Sequence, residues 1–217
     1  MTIGYNPRIV MNGLVLCLDA ANIKSYPQTG TTWFDLSGSN NHATLIGAPA
    51  FAANNGGSFV MTGTQYATAL NPMSSQTTLT QNWTVSGWFN IDTTTSQYLM
   101  NLNASLYPSY SAGNSLLYLN GGVNDYYTYG GNIGGTGWNY VTFRFRNSDG
   151  YRTIYKNGVN ISTSGPNNTS IPAGNPSTVT MGGNFRGYFS RVEAYTRVLS
   201  DSEILQNFNA TRGRYGI

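Results

Sequence analysis

The acid groups available for catalysis number eight: Asp19, Asp35, Asp92, Asp125, Asp149, Asp201, Glu193 and Glu203. Retaining glycoside hydrolysis needs two carboxyl groups about 5–5.5 Å apart, and acids at alternating positions of one strand would supply that spacing. No strand candidate carries such a pair. Glu193 stands between Val192 and Ala194 with Arg191 on the same face, which reads as a surface ion pair. Glu203 fits a helix start, and Asp149 precedes Gly150 in a hairpin turn. A serine or cysteine nucleophile would have His42 as its one histidine base, and His42 lies in the turn-like run Asn40-Asn41-His42. One His and one Cys make no metal cluster of those types. The stretch Gly130–Gly137 lacks the Lys-Ser/Thr ending of a phosphate-binding loop. These residues predict no enzyme, no metal and no cofactor.

Binding chemistry is better supplied. Tyr and Asn recur at Tyr107, Tyr110, Asn124, Asp125, Tyr126, Tyr127, Tyr129 and Asn132. Aromatic faces stack on the apolar faces of sugars, while Asn and Asp fix hydroxyls. Tyrosine is equally at home between proteins, and that reading is placed first. Basic residues are scattered singly apart from Arg144/Arg146/Arg152 and Arg212/Arg214, so the net charge of +3 predicts no nucleic-acid partner. Arg144 and Arg146 read as a solvated stripe on one face of a strand.

The elements that must position these residues are mostly strands. Charged residues make up 9% of the chain and hydrophobic residues 40%, with 26 Gly and 16 Tyr, a mixture suited to short strands and tight turns around one core. The whole chain, 1–217, reads as a single domain. Val141-Thr-Phe143-Arg-Phe145-Arg146 alternates with period two. Tyr151–Lys156 and Val159–Ser162 flank Asn157-Gly158, the pair that favours a type I′ hairpin. Further strands are expected at Leu14–Asp19, Ser58–Met61, Tyr66–Ala69, Trp83–Ile91, Tyr98–Asn101, Ser115–Leu119, Tyr126–Tyr129, Thr178–Met181 and Tyr188–Tyr195. Ser200-Asp-Ser-Glu203 is a capping box. It predicts one short C-terminal helix with Ile204, Leu205 and Phe208 turned to the core and Gly213 ending it. Tyr107–Ser115, Gly130–Gly137 and Gly165–Pro176 read as surface loops. Cys17, within Leu14–Leu18, reads as a small buried hydrophobe. No leader-like segment and no apolar run long enough to cross a bilayer is present, so synthesis in a cytoplasm and no membrane partner are expected. The sequons at Asn82 and Asn160 carry little weight on that expectation.

Four stretches, in order, carry a resemblance that spans almost the whole chain. They are Gly13–Asn22 with Ser25-Tyr26-Pro27 and Thr32–Gly38; Gly57–Gly63 with Tyr66; Trp83–Phe89; and Tyr155–Gly158 before Gly187–Ser200 and the helix. Together they resemble the laminin-G-like, concanavalin-A-like family. The resemblance implies an all-β fold, an antiparallel two-sheet jelly-roll sandwich. The Arg-Gly-Arg-Tyr-Gly ending at 212–216 resembles structural proteins of tailed bacteriophages, which implies a virion protein made in the host cytoplasm, a head-decoration or fibre/tail component. Other virion proteins would be its partners, and a homo-oligomer, a trimer by analogy, its state. A lectin that binds a cell-surface glycan is the second reading and a glycoside hydrolase a distant third. Two departures bear on chemistry. Met61-Thr62-Gly63 stands where relatives often carry Phe-Asp-Gly, and Ser190-Arg191 where they carry carboxylates, which removes hard ligands for calcium. Asp19 and Asp35 then read as turn residues, and Tyr107–Ser115, Asn124–Asn132 and the tail Arg212–Ile217 as contact surfaces.

Overall fold

The computed structural model describes residues 8–54, 57–70, 82–92, 95–101, 106–112, 116–121, 128–129, 133, 135, 137–146, 148–149, 151–163 and 178–217. Strands are numbered in chain order: β1 Leu14–Asp19, β2 Thr32–Trp33, β3 Ala43–Ile46, β4 Ala50–Ala52, β5 Ser58–Thr62, β6 Tyr66–Leu70, β7 Trp83–Ile91, β8 Gln97–Tyr98 and β9 Met100–Asn101. They continue as β10 Leu106–Ser111, β11 Leu116–Gly121, β12 Thr128–Tyr129, β13 Trp138–Arg146, β14 Tyr151–Lys156, β15 Val159–Asn160, β16 Thr178–Met181 and β17 Arg186–Tyr195. Helix α1, Asp201–Thr211, is followed by a 3-10 turn at Arg212–Tyr215.

Among the described residues the larger sheet runs β15-β14-β13-β7-β17-β5-β4, with β1 also on β17. The first half of β17 pairs with β5 and the second half with β1. The changeover is a bulge between Phe189 and Arg191. The extra residue, Ser190, re-phases the strand, so Phe189 faces the core while Arg191, Glu193 and Tyr195 share the opposite face. The second layer consists of β2-β3-β6-β16-β9 and β12-β11-β10-β8. Leu99 joins these two sets: its N–H donates to the Pro108 carbonyl and its own carbonyl accepts from Gly182.

Alternating side chains from both layers fill the space between them. Leu16, Leu18, Trp83, Val85, Phe89, Val141, Phe143, Phe145 and Val192 meet Trp33, Leu45, Ala67, Leu117, Val179 and Met181 in one buried cluster. Sheets with one wet face show buried and exposed residues in alternation. β7 instead is buried at eight of nine positions and β17 at its last seven, because α1 and the tail cover much of the large sheet's outer face.

The chain forms that roof for local reasons. The Ser200 hydroxyl accepts the Glu203 amide and the Glu203 carboxylate accepts the Ser200 amide, so the expected capping box starts the helix. Ile204, Asn207, Phe208 and Thr211 are its buried residues. Leu205, expected in the core, is 44% exposed. Gly213 does not end the helix. The chain tightens into the 3-10 turn and stops at Gly216, whose φ of 74° is left-handed. The Asn157-Gly158 hairpin is present, with φ of 52° and 80°. The segment Tyr107–Ser115, expected as a loop, is largely strand: Leu106–Ser111 pairs with β11 along its length. The expected loop Gly165–Pro176 lies outside the described residues.

Candidate functional site

The roof encloses charge. On the outer face of the large sheet, Arg191 donates from Nε to Glu193 Oε1 at 2.6 Å and from Nη1 to Asp19 Oδ2 at 2.5 Å. Tyr140 donates its hydroxyl to Glu193 Oε2 at 2.6 Å, and Arg214 of the tail donates to Asp19 Oδ1 at 2.7 Å. Asp19 and Glu193 are 1% and 0% exposed. The expected surface ion pair of Glu193 is therefore a buried network, in which one guanidinium pairs with two carboxylates on neighbouring strands. Burial and the adjacent Glu193 push the Tyr140 phenol well above its usual range. Burial also raises the Cys17 thiol to about 12, which makes it an inert hydrophobe, as its apolar run suggested.

The tail closes this network. Tyr215 stacks on Trp88 with centroids 3.9 Å apart and planes 17° from parallel, and its hydroxyl donates to Ser190 Oγ at 2.9 Å. Trp88 Nε1 donates to Thr211 Oγ1. Asn207 accepts the Val10 amide and donates to the Tyr195 hydroxyl, which itself donates to the Val10 carbonyl. Arg214 and Tyr215, expected to contact a partner, are thus spent inside the chain, whereas Arg212, Gly213 and Ile217 stay exposed.

Four further acids are also structural. Asp35 accepts the amides of Cys17, Ser37 and Asn41, and the Asp35 amide donates to His42 Nδ1, the turn role expected for both residues. Asp149 pairs with Arg146. Asp201 accepts from Arg144 and Tyr155, and Glu203 pairs with Arg197. The arginine stripe is corrected in part. Arg146 is solvated, but Arg144 is tied to Asp201, Thr153 and the Leu199 carbonyl, and Arg152 is 2% exposed. No group of three His, Cys, Asp or Glu among the described residues could hold a metal ion.

Of the tyrosine and asparagine candidates, Asn124, Asp125, Tyr126, Tyr127 and Asn132 lie outside the described residues. Tyr107 and Tyr129 sit on β10 and β12, opposite Asn120 and Tyr118 of β11. Tyr110, opposite Leu117, is 1% exposed and belongs to the core, so its ring is not presented to a ligand. Convergence from separate elements occurs elsewhere. At the rim where β5, β7 and β17 end, Gly63, Thr95, Ser96, Asn184 and Arg186 line a cleft of about 270 Å³. The Arg186 guanidinium lies over Gly63, where a side-chain Cβ would stand 3.3 Å from Nε, and the Arg186 amide donates to Gln97 Oε1. A larger groove of about 540 Å³ runs along residues 209–217, but one continuous segment lines it. The rim cleft was missed in the sequence because its residues come from three separate segments and form no motif.

The sandwich topology has a counterpart in a known family: residues 61–205 match the model of the concanavalin A-like lectin/glucanases superfamily, laminin-G type. The chain belongs to this superfamily. No curated protein matches it. Among solved structures it is similar to the sialidase of Trypanosoma rangeli in complex with sialic acid, with 19% identity, a TM-score of 0.67, and coverage of 93% of this chain and 33% of that one. It is likewise similar to the binding domain of botulinum neurotoxin DC in complex with SialylT (14% identity, TM-score 0.69, 93% of this chain and 52% of that one). A third is the binding domain of Paraclostridial mosquitocidal protein 1 (16%, 0.69, 91% and 52%). The chain spans about a third to a half of the length of these structures, and the likeness concerns the fold.

Proposed function

We propose that this concanavalin A-like sandwich is a non-enzymatic surface module that binds an acidic glycan at its rim. The observation that carries the reading is the cleft itself: an exposed guanidinium, an amide and two hydroxyl residues converge there from separate loops around a glycine. Arginine is the side chain best suited to a sugar carboxylate, because its planar fork matches that group. The ligand class is supported by two proteins that contain a similar fold, a sialidase in complex with sialic acid and a neurotoxin binding domain in complex with SialylT. Asp19, Asp35, Asp149, Asp201, Glu193 and Glu203 each hold an arginine, a turn or a helix start, which supports binding without hydrolysis.

The setting proposed for the module is a bacteriophage virion, as a head-decoration or fibre/tail component in a homo-oligomer, a trimer by analogy. That setting is supported by the resemblance of the Arg212–Gly216 ending to phage structural proteins. The test is an array of neutral and sialylated glycans probed with the purified chain, combined with a hydrolysis assay on any glycan retained. Retention of acidic glycans without product release, and its loss in Arg186→Ala, is expected. Turnover, or retention indifferent to Arg186→Ala, would overturn the reading. Antibody labelling of purified particles tests the virion setting, and light scattering on the eluted protein tests the trimer.

A further inference from the structure

At one end of the large sheet's outer face the described residues include a half-buried row. Trp138 of β13, Asn90 of β7 and Tyr188 of β17 lie opposite one another in a single row, and all three are half-buried. Their direction follows from the alternation: Trp88, two residues before Asn90, faces the roof, whereas Phe89 and Ile91 belong to the inner core. The rings of Trp138 and Tyr188 are 6.3 Å apart and inclined by 53°. Gly187 makes the close approach of β17 to β7 here, since a Cβ at that position would stand 2.1 Å from the Asn90 carbonyl oxygen. Two residues farther along β17, about 6.6 Å away by the rise of a strand, Arg186 reaches the rim.

We propose that Trp138 and Tyr188, with Asn90 between them, form a second subsite on which a pyranose ring stacks, continuous through Arg186 with the rim cleft. The inference rests on the carbohydrate reading above and extends it from one sugar to an oligosaccharide laid across β13, β7 and β17. Two inclined aromatic rings offer C–H-binding faces to a sugar, and the amide between them supplies both a donor and an acceptor for hydroxyls. A half-buried aromatic pair beside a polar amide has the mixed apolar and polar character of a ligand subsite.

The chain carries its own reporter. Of the four tryptophans, Trp33, Trp83 and Trp88 are 0% exposed, so Trp138 is the one that acrylamide reaches. The experiment takes the glycan best retained on the array, titrates it into the unmodified protein and follows acrylamide quenching of the tryptophan emission. Affinities of Trp138→Ala and Tyr188→Ala are measured alongside. Protection of Trp138 from quenching is expected, with affinity about ten-fold weaker or worse in each variant and recovered in Trp138→Phe. If the unmodified protein retains no glycan, both the subsite and the carbohydrate reading fall. If it binds a glycan through Arg186 with Trp138 equally quenched and both variants unimpaired, the subsite alone is overturned. A change in oligomeric state on Trp138→Ala with glycan affinity intact also overturns it and makes the row an interface between copies.

Discussion

The two halves of the large sheet's outer face are built from the same strands, yet one is roofed and the other open. Beneath α1 and the tail lie the Arg191–Glu193–Asp19–Tyr140 network and the Ser86–Thr142 hydroxyl pair, 2.9 Å apart. A few residues away along β7, β13 and β17, the row Trp138–Asn90–Tyr188 meets solvent. An aromatic series connects the halves: Trp88 on Tyr215 at 3.9 Å, Tyr215 on Trp138 at 4.9 Å, Trp138 on Tyr188 at 6.3 Å. The strand pattern is alike throughout, so whether a polar or aromatic residue of this face is fully or half-buried depends on how far α1 and the tail extend over it. The contrast is tested most severely with arginine. Arg191→Ala leaves the buried Glu193 without its cation and Asp19 with Arg214 alone, a loss of about 3–5 kcal/mol, whereas Arg186→Ala at the rim should change stability by less than about 0.5 kcal/mol. Urea unfolding midpoints measure both, and equal effects would abolish the distinction.

The next largest effect belongs to the tail. Tyr215→Ala removes the ring stacked on Trp88 and the hydroxyl bound to Ser190, and large aromatic-to-alanine changes in packed sites cost about 3–5 kcal/mol. The lower end applies here, because the site borders solvent and can partly collapse. A lowered unfolding midpoint is expected together with new acrylamide access to Trp88. A tail that can lose Tyr215 without either change would be an ornament rather than a roof, and its residues would again be free for a partner.

Strand positions were largely legible in the sequence, because burial between two layers imposes period-two alternation. β1, β7, β14 and β16 have the bounds the pattern predicts, and Asn157-Gly158 and Ser200–Glu203 act as their chemistry requires. β2, β3 and β4, of two to four residues, were missed. β10 was missed because Pro108 breaks the donor pattern of a strand. In the fold the proline pairs opposite Leu119 and contributes its carbonyl to Leu99.

The site was less legible for a different reason. Arg191 and Glu193 read as a surface ion pair, and Asp19 as a turn residue, because strand periodicity says which residues share a face but not what covers it. The covering segment comes from the last residues of the chain, 195 positions from Asp19 in the case of Arg214. The one available signal was the helix spacing Ile204, Phe208 and Thr211, which places Asn207 on the same buried side.

The smallest effect concerns the pin that holds the roof at its start, as distinct from the network under it. The Arg197 guanidinium bonded to Glu203 holds that carboxyl at about 2, below its ordinary 4.5. Asp201 is also lowered, first by the Tyr155 hydroxyl and then by Arg144. A carboxyl whose folded value is depressed stabilises the fold fully above its unfolded value, and the contribution disappears as pH falls through the folded one. The pin is therefore complete above about pH 5 and released toward pH 2. Glu203→Gln keeps an oxygen for the Ser200 amide but cannot titrate or pair with Arg197. At pH 7 it should be less stable by about 0.5–1 kcal/mol, the range for a partly exposed ion pair, and the gap should close as both proteins are taken toward pH 2. Unfolding midpoints of the two at several pH values measure it. A gap that stays constant with pH would show that the Arg197 pair adds nothing beyond the cap, and would leave packing of Ile204 and Phe208 as what holds the helix over the sheet.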